Sequence, residues 1–278
     1  MATARSFSLV FLLAAAGLIA PAMAANAPAK NAVEPPTAAP KPYADFVKGA
    51  QITPGLIPIV QKAGAVFLSL GPSQFGRDFI ETSVPSSGLG GLGPAQGTPY
   101  IAPARILHFE RVGNKVILRW PNSYTLTQSG SPQATGVGQS LPNSVIAVVP
   151  ISAQDGTHVV ISADPFLEDI ADFAEGLNSP KTKPTQQYHL DPKRTFFLQA
   201  KAFPVNDMLR VDQSWIATEA TDHDNAPDSR YVEVRMTYNL IAAPDDGYVP
   251  RIYDPRVGYF SQPLMNFATD NDLDRIVH

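Results

Sequence analysis

RILHFERVGNKVILRW, residues 105–120, is a pair of short runs that alternate apolar and polar side chains on either side of Gly113-Asn114. Glycine and asparagine tolerate positive φ at low cost, so a two-residue turn there folds the runs into a β-hairpin. Pairing about that turn sets Phe109 opposite Leu118 and Leu107 opposite Trp120 on one face. His108 then faces Arg119, and Glu110 faces Ile117, on the other. A strand period of two makes the first face core and the second mostly wet.

The same period runs unbroken through YVEVRMTYNL, residues 231–240, where Val232, Val234, Met236, Tyr238 and Leu240 alternate with Tyr231, Glu233, Arg235, Thr237 and Asn239. The alternation places this strand in one antiparallel sheet with the hairpin, with Phe109, Leu118, Trp120, Val232, Val234 and Met236 on the buried side. SVIAVVPIS (144–152), THVVISA (157–163) and TFFLQAKAF (195–203) read as further strands, the first more fully buried. DPFLEDIADFAEGL (164–177) reads as a helix: Asp164 caps it, Pro165 takes its first position, and Phe166, Ile170, Phe173, Ala174 and Leu177 form one stripe. The expected fold class is mainly β, with α+β left open: an antiparallel sheet, barrel-like or sandwich, carrying at least one short helix.

The first 24 residues have the plan of a secretory signal peptide, with Arg5, an apolar run from Phe7 to Ala20 and an Ala22-Met23-Ala24 cleavage pattern. The expected location is therefore exported, periplasmic or extracellular. Residues 25–42 are Ala/Pro-rich without an aromatic and read as a disordered tether, 43–262 as the β-rich domain, and 263–278 as a linker. With no cysteine, the exported chain has no disulfide, no lipid-bearing Cys and no thiolate chemistry. Its 21 basic and 25 acidic residues are interspersed, for a net charge of −4, which offers no footprint for nucleic acid or for a membrane surface after signal cleavage.

Motifs of known chemistry are absent from most of the expected places. His108, His158, His189, His223 and His278 never approach the H-E-x-x-H spacing that sets two imidazoles and a general-base Glu on one helical face. The Gly-rich stretch SSGLGGLGPAQG (86–97) lacks the G-K-[ST] ending of a phosphate loop and reads as a surface loop. Asp222, Asp224, Asp228 and Glu233 are an oxygen-rich group of the kind that holds calcium. Ala226 and Pro227 break the EF-hand spacing, and the group reads as a solvated loop. In RIYDPRVGYFSQ (251–262) the side chains Tyr253, Asp254, Arg256, Tyr259 and Phe260 are candidates for an interdomain or ligand contact, and equally for an Asx turn at Asp254-Pro255 entering a strand.

FGRDFIETS, the hairpin, DPKRTFFLQAKAFPVN, SRYVEVRMTYNLIAAPDDGYVPR and YDPRVGYF follow one another in an order that resembles the N-terminal domain of unknown function of large bacterial secreted zinc-dependent metalloproteases. The resemblance covers most of residues 43–260. It implies that a catalytic zincin domain follows the D-x-R-V-G-Y-F element, supplied in cis or by an adjacent gene product, and that zinc belongs to that domain alone. No catalytic, cofactor-binding or metal-ligating residue is carried over to this chain. The expected function is a non-catalytic accessory domain truncated before its protease domain. The alternative is a free-standing secreted β-rich module that binds peptide or glycan.

Overall fold

The computed structural model describes residues 39–88, 104–127, 130–178, 181–220 and 226–244, with short pieces between 251 and 277. β1 (Lys41–Pro42) and α1 (Tyr43–Val47) lead into β2 (Gln51–Thr53), β3 (Ile59–Lys62), β4 (Ala65–Leu70) and β5 (Phe79–Pro85). β6 (Arg105–Val112), β7 (Lys115–Trp120), β8 (Thr125–Leu126), α2 (Pro132–Ser140), β9 (Ser144–Gln154) and β10 (Val159–Ser162) follow. α3 (Phe173–Leu177), β11 (His189–Leu190), β12 (Phe196–Ala202), β13 (Asn206–Ile216) and β14 (Tyr231–Ala242) complete the main sheet region. β15 (Arg251–Ile252), β16 (Gln262–Pro263), β17 (Met265–Asn266) and β18 (Arg275–Val277) are short pairings near the C-terminus.

The sheet is antiparallel apart from β1, which runs parallel to β9. Its order is β13-β14-β5-β6-β7-β9-β10-β4-β3-β2, with β11 and β12 both on the free side of β13. It curls into a nearly closed barrel. The two ends meet where the Leu56 amide donates to the Phe203 carbonyl at 2.6 Å and the Ile57 amide to the Asp207 carboxylate at 2.9 Å. Gly55 permits this approach, because a Cβ there would stand 2.4 Å from that of Ala202.

The hairpin pairs as its pattern requires, with Phe109 opposite Leu118 and His108 opposite Arg119. Gly113 takes a left-handed φ of 58° and Asn114 does not, so only one turn position uses the conformational freedom that both residues offer. β5 joins β6 to β14, placing the hairpin and residues 231–240 in one sheet. Phe109, Leu118, Val232, Val234 and Met236 line its buried side; Trp120 is half-buried.

Two expectations are corrected. The helix over 164–177 is two pieces: a 3-10 turn at Asp164–Leu167, preceded by Ala163 and without a capping side chain, and α3, with Glu168 extended between them. Asp169, rather than Asp164, acts as the capping side chain, accepting from the amides of Phe173 at 2.7 Å and Ala174 at 3.0 Å. β9 is buried at Val149, Ile151 and Ala153, whereas Val145 and Val148 are about half exposed. At the two ends of the described chain, Lys41–Pro42 pairs with Ala153–Gln154, and Pro263 pairs with Arg275 and Met265–Asn266 with Thr125–Leu126. α2 was not anticipated: Ser131 caps it through the Ala134 amide at 3.1 Å, but it buries no side chain, so no apolar stripe announces it.

Candidate functional site

The segment from Ala163 to Leu177 packs on the inner face of the sheet as a plug. Phe166 lies 5.6 Å from Tyr238 and Phe173 5.8 Å from Trp215, ring centre to ring centre, and all four are buried. β13 and β14 also turn polar groups inward at this place. Gln213 donates from Nε2 to the Tyr238 hydroxyl at 3.1 Å and to the Glu168 carbonyl at 3.3 Å, and Arg105 donates to the Ile170 carbonyl at 2.9 Å. Buried donors need acceptors. The carbonyls of residues 168 and 170 meet that need and so leave the ladder of a continuous helix.

Four ionisable groups in the barrel are displaced. Burial raises the Glu81 carboxyl, against the pull of the Ser83 hydroxyl and the Arg105 guanidinium, and it raises Asp169 against two amide hydrogen bonds. Tyr238 is held well above the phenol range by burial and by the nearby carboxylates. Burial pushes Asp207 up to about 7, opposed by the amides of Ile57 and Phe203. Displaced carboxyls often mark catalysis, but a general acid or base must come within hydrogen-bond reach of its substrate. Glu81 is 1 % exposed and Tyr238 and Asp207 are sealed, so these groups hold the plug and the seam in place.

Reachable chemistry lies outside. β12 pairs only with β13, and among the described residues its other edge is hydrogen-bonded to no strand, although β3 and β4 stand near it. Large apolar side chains crowd this strand and the turn after it: Phe196 is 53 % exposed, Leu198 42 %, Phe203 42 % and Val205 65 %. The guanidinium groups of Arg194 and Arg230 stand over the half-exposed Tyr231 ring, at 5.3 Å and 5.4 Å from its centre. A separate cleft of about 320 Å³ opens beside Arg105, whose guanidinium stacks on Trp120 at 3.9 Å, with Tyr124 and Ser144 at its rim.

Of the C-terminal candidates, Asp254 and Arg256 are joined by an Asx turn, the Arg256 amide donating to Asp254 at 3.0 Å, and by an ion pair at 2.5 Å. Tyr253, Tyr259 and Phe260 lie outside the described residues, as do Asp222 and Asp224 of the acidic loop and the Gly-rich stretch from residue 89 onward. Asp228 is described, and Arg230 engages it at 2.6 Å and lowers its carboxyl to about 2, which leaves it committed to the turn. Among the described residues no three His, Cys, Asp or Glu side chains converge as a metal site would require. No described helix is long and apolar enough to cross a membrane.

Reading the sequence missed β13 as an element. Its inward side chains include Asp207 and Gln213 and its outward ones Met208 and Ile216, which blurs the alternation. The exposed β12 edge was equally hidden, since TFFLQAKAF reads as any half-buried strand and strand order is invisible along the chain.

No curated protein matches the chain, and no solved structure does. One family model matches, described as a domain of unknown function, DUF5117, over residues 101–276. That span takes in β6 to β17 with the first two residues of β18, more than half of the sequence, so the chain belongs to the DUF5117 family.

Proposed function

We propose that this chain is a non-catalytic module that packs against a partner protein through β12 and the turn that follows it. The observation that carries this reading is the group Phe196, Leu198, Phe203 and Val205, large apolar side chains left in water on β12 and on the turn that follows it. Apolar side chains gathered at one place on a surface mark contact sites, whereas single ones carry no such meaning. The resemblance to the N-terminal domain of secreted zinc-dependent metalloproteases names the partner: a zincin catalytic domain, in cis or from an adjacent gene, outside the cytoplasm. In that arrangement zinc and proteolysis belong to the partner, and this domain shapes or shields its cleft.

The test is to mix the purified chain with the zincin domain encoded nearest to it and follow complex formation by size-exclusion chromatography and calorimetry. A complex weakened at least tenfold by Phe203→Asp with Val205→Asp supports the reading. The absence of a complex, one indifferent to these substitutions, or chelator-sensitive proteolysis by the chain alone would overturn it.

The cleft at Arg105 and Trp120 supports a second reading, a free-standing module for peptide or glycan, because an aromatic floor beside hydroxyls suits a sugar ring or a peptide. Under that reading Tyr124→Ala abolishes binding on a glycan or peptide array and leaves the zincin complex unaffected.

A further inference from the structure

We propose that β12 receives an added strand from the partner, an extended segment alternating apolar and acidic residues; the inference rests on the packing role above and specifies its mode. Alternate backbone groups of a strand point to each of its neighbours, and β13 satisfies only one side of Phe196–Ala202. On the free side the β3–β4 hairpin, residues 61–66, stands across a slot of about 260 Å³ whose near wall is Phe197–Ala200. The slot is closed at one end, where Gly55 lies against Ala202 and the Leu56 amide bonds Phe203. An extended chain fits such a shape by continuing the sheet, as strand-addition complexes do.

Charge selects the occupant. Lys62 lines the slot and Lys201 is exposed on the edge strand itself, while none of the slot's lining residues is acidic. Among the described residues neither lysine has an ion-pair partner; Lys62 donates to the Phe46 carbonyl at 2.6 Å. Exposed lysines and bulges are the devices that stop edge strands from pairing with their own copies, and β12 has both, its register shifting between Phe197 and Gln199. A second copy would bring Lys201 against the same basic edge. An acidic segment neutralises it, with its apolar residues covering Phe196 and Leu198.

The probe is a soluble synthetic peptide, acetyl-Thr-Val-Glu-Val-Glu-Val-Thr-amide, set against its Lys-for-Glu analogue and against two versions N-methylated on alternate amides, one for each edge. The Glu peptide is expected to bind at least tenfold more tightly than the Lys analogue, and Lys201→Glu to reverse that preference. One of the methylated peptides should lose binding, and amide exchange should slow within residues 196–202. No binding of the Glu peptide at millimolar concentration, unchanged binding by both methylated peptides, or protection confined to other strands would overturn the proposal. A zincin domain that binds wild type and Lys201→Glu equally, yet loses Phe203→Asp with Val205→Asp, would sink strand addition and keep the packing role. Loss of neither would sink the packing role as well.

Discussion

Asp207 sits at the seam with one carboxylate oxygen accepting from Ile57 and the other, Oδ1, buried without a hydrogen bond. Its carboxyl is raised from 3.8 to about 7, so the folded chain holds a proton there that the unfolded chain has released. Stability from this group is complete below pH about 4, falls as pH rises toward 7 and is flat above, with a span of at most about 4 kcal/mol. Glu81 and Asp169, also raised, act in the same direction. Asp207→Asn is expected to flatten much of the slope between pH 4 and 7 in urea titrations; an unaltered slope would falsify the assignment. Gly55→Ala is expected to destabilise by about 1–3 kcal/mol, since the new methyl meets backbone atoms of Ala202 and Phe203 at 2.7 Å. Neither residue stands out in the sequence. A lone Asp at the start of a strand reads as surface, and a Gly between two apolar runs reads as an ordinary turn; only closure of the sheet gives them their roles.

Elements whose own pattern sufficed were legible. The hairpin at 105–120 and the strand at 231–240 carry uninterrupted alternation, and both have the register that alternation demands. The plug was not legible, because its best local reading is one helix and its structure answers to donors far away in sequence. Tyr238 donates to Glu168 and Arg105 to Ile170, separations of 70 and 65 residues. Phe173→Ala, at a fully buried site against Trp215, is expected to cost about 3–5 kcal/mol in denaturant unfolding. Tyr238→Phe deletes the hydroxyl that bonds Gln213 and Glu168 and is expected to cost about 1–3 kcal/mol. A cost under 0.5 kcal/mol for both would show that the plug is seated by something other than these contacts.

At the scale of the whole molecule, the segment matched by the family begins at residue 101, but the barrel does not. β2 to β5 come from residues 51–85, ahead of that segment, and β5 is the strand that stands between β14 and β6. It pairs with β14 from Phe79 to Pro85 and with β6 from Phe79 to Glu81. Removing everything before Ile101 therefore takes a strand from the middle of the sheet and breaks its continuity. It also strips Ile57, Ile59, Leu68, Leu70 and Phe79 from the core, each fully buried, and leaves the inner faces of β14 and β6 open to water. A buried Leu, Ile or Phe contributes roughly 1.5–3 kcal/mol. Losing five of them removes about 7.5–15 kcal/mol, as much as the typical net stability of about 5–15 kcal/mol for a domain. A chain starting at Ile101 is accordingly expected to lack a cooperative thermal transition, to bind a hydrophobic dye and to aggregate, while a chain starting at Ala39 unfolds in one transition. Supplying residues 39–100 as a separate polypeptide should restore folding, with amide protection returning on β14 and β6. A cooperative transition in the shorter chain alone, at the midpoint of the longer one, would show that β14 and β6 reach a stable partner without β5.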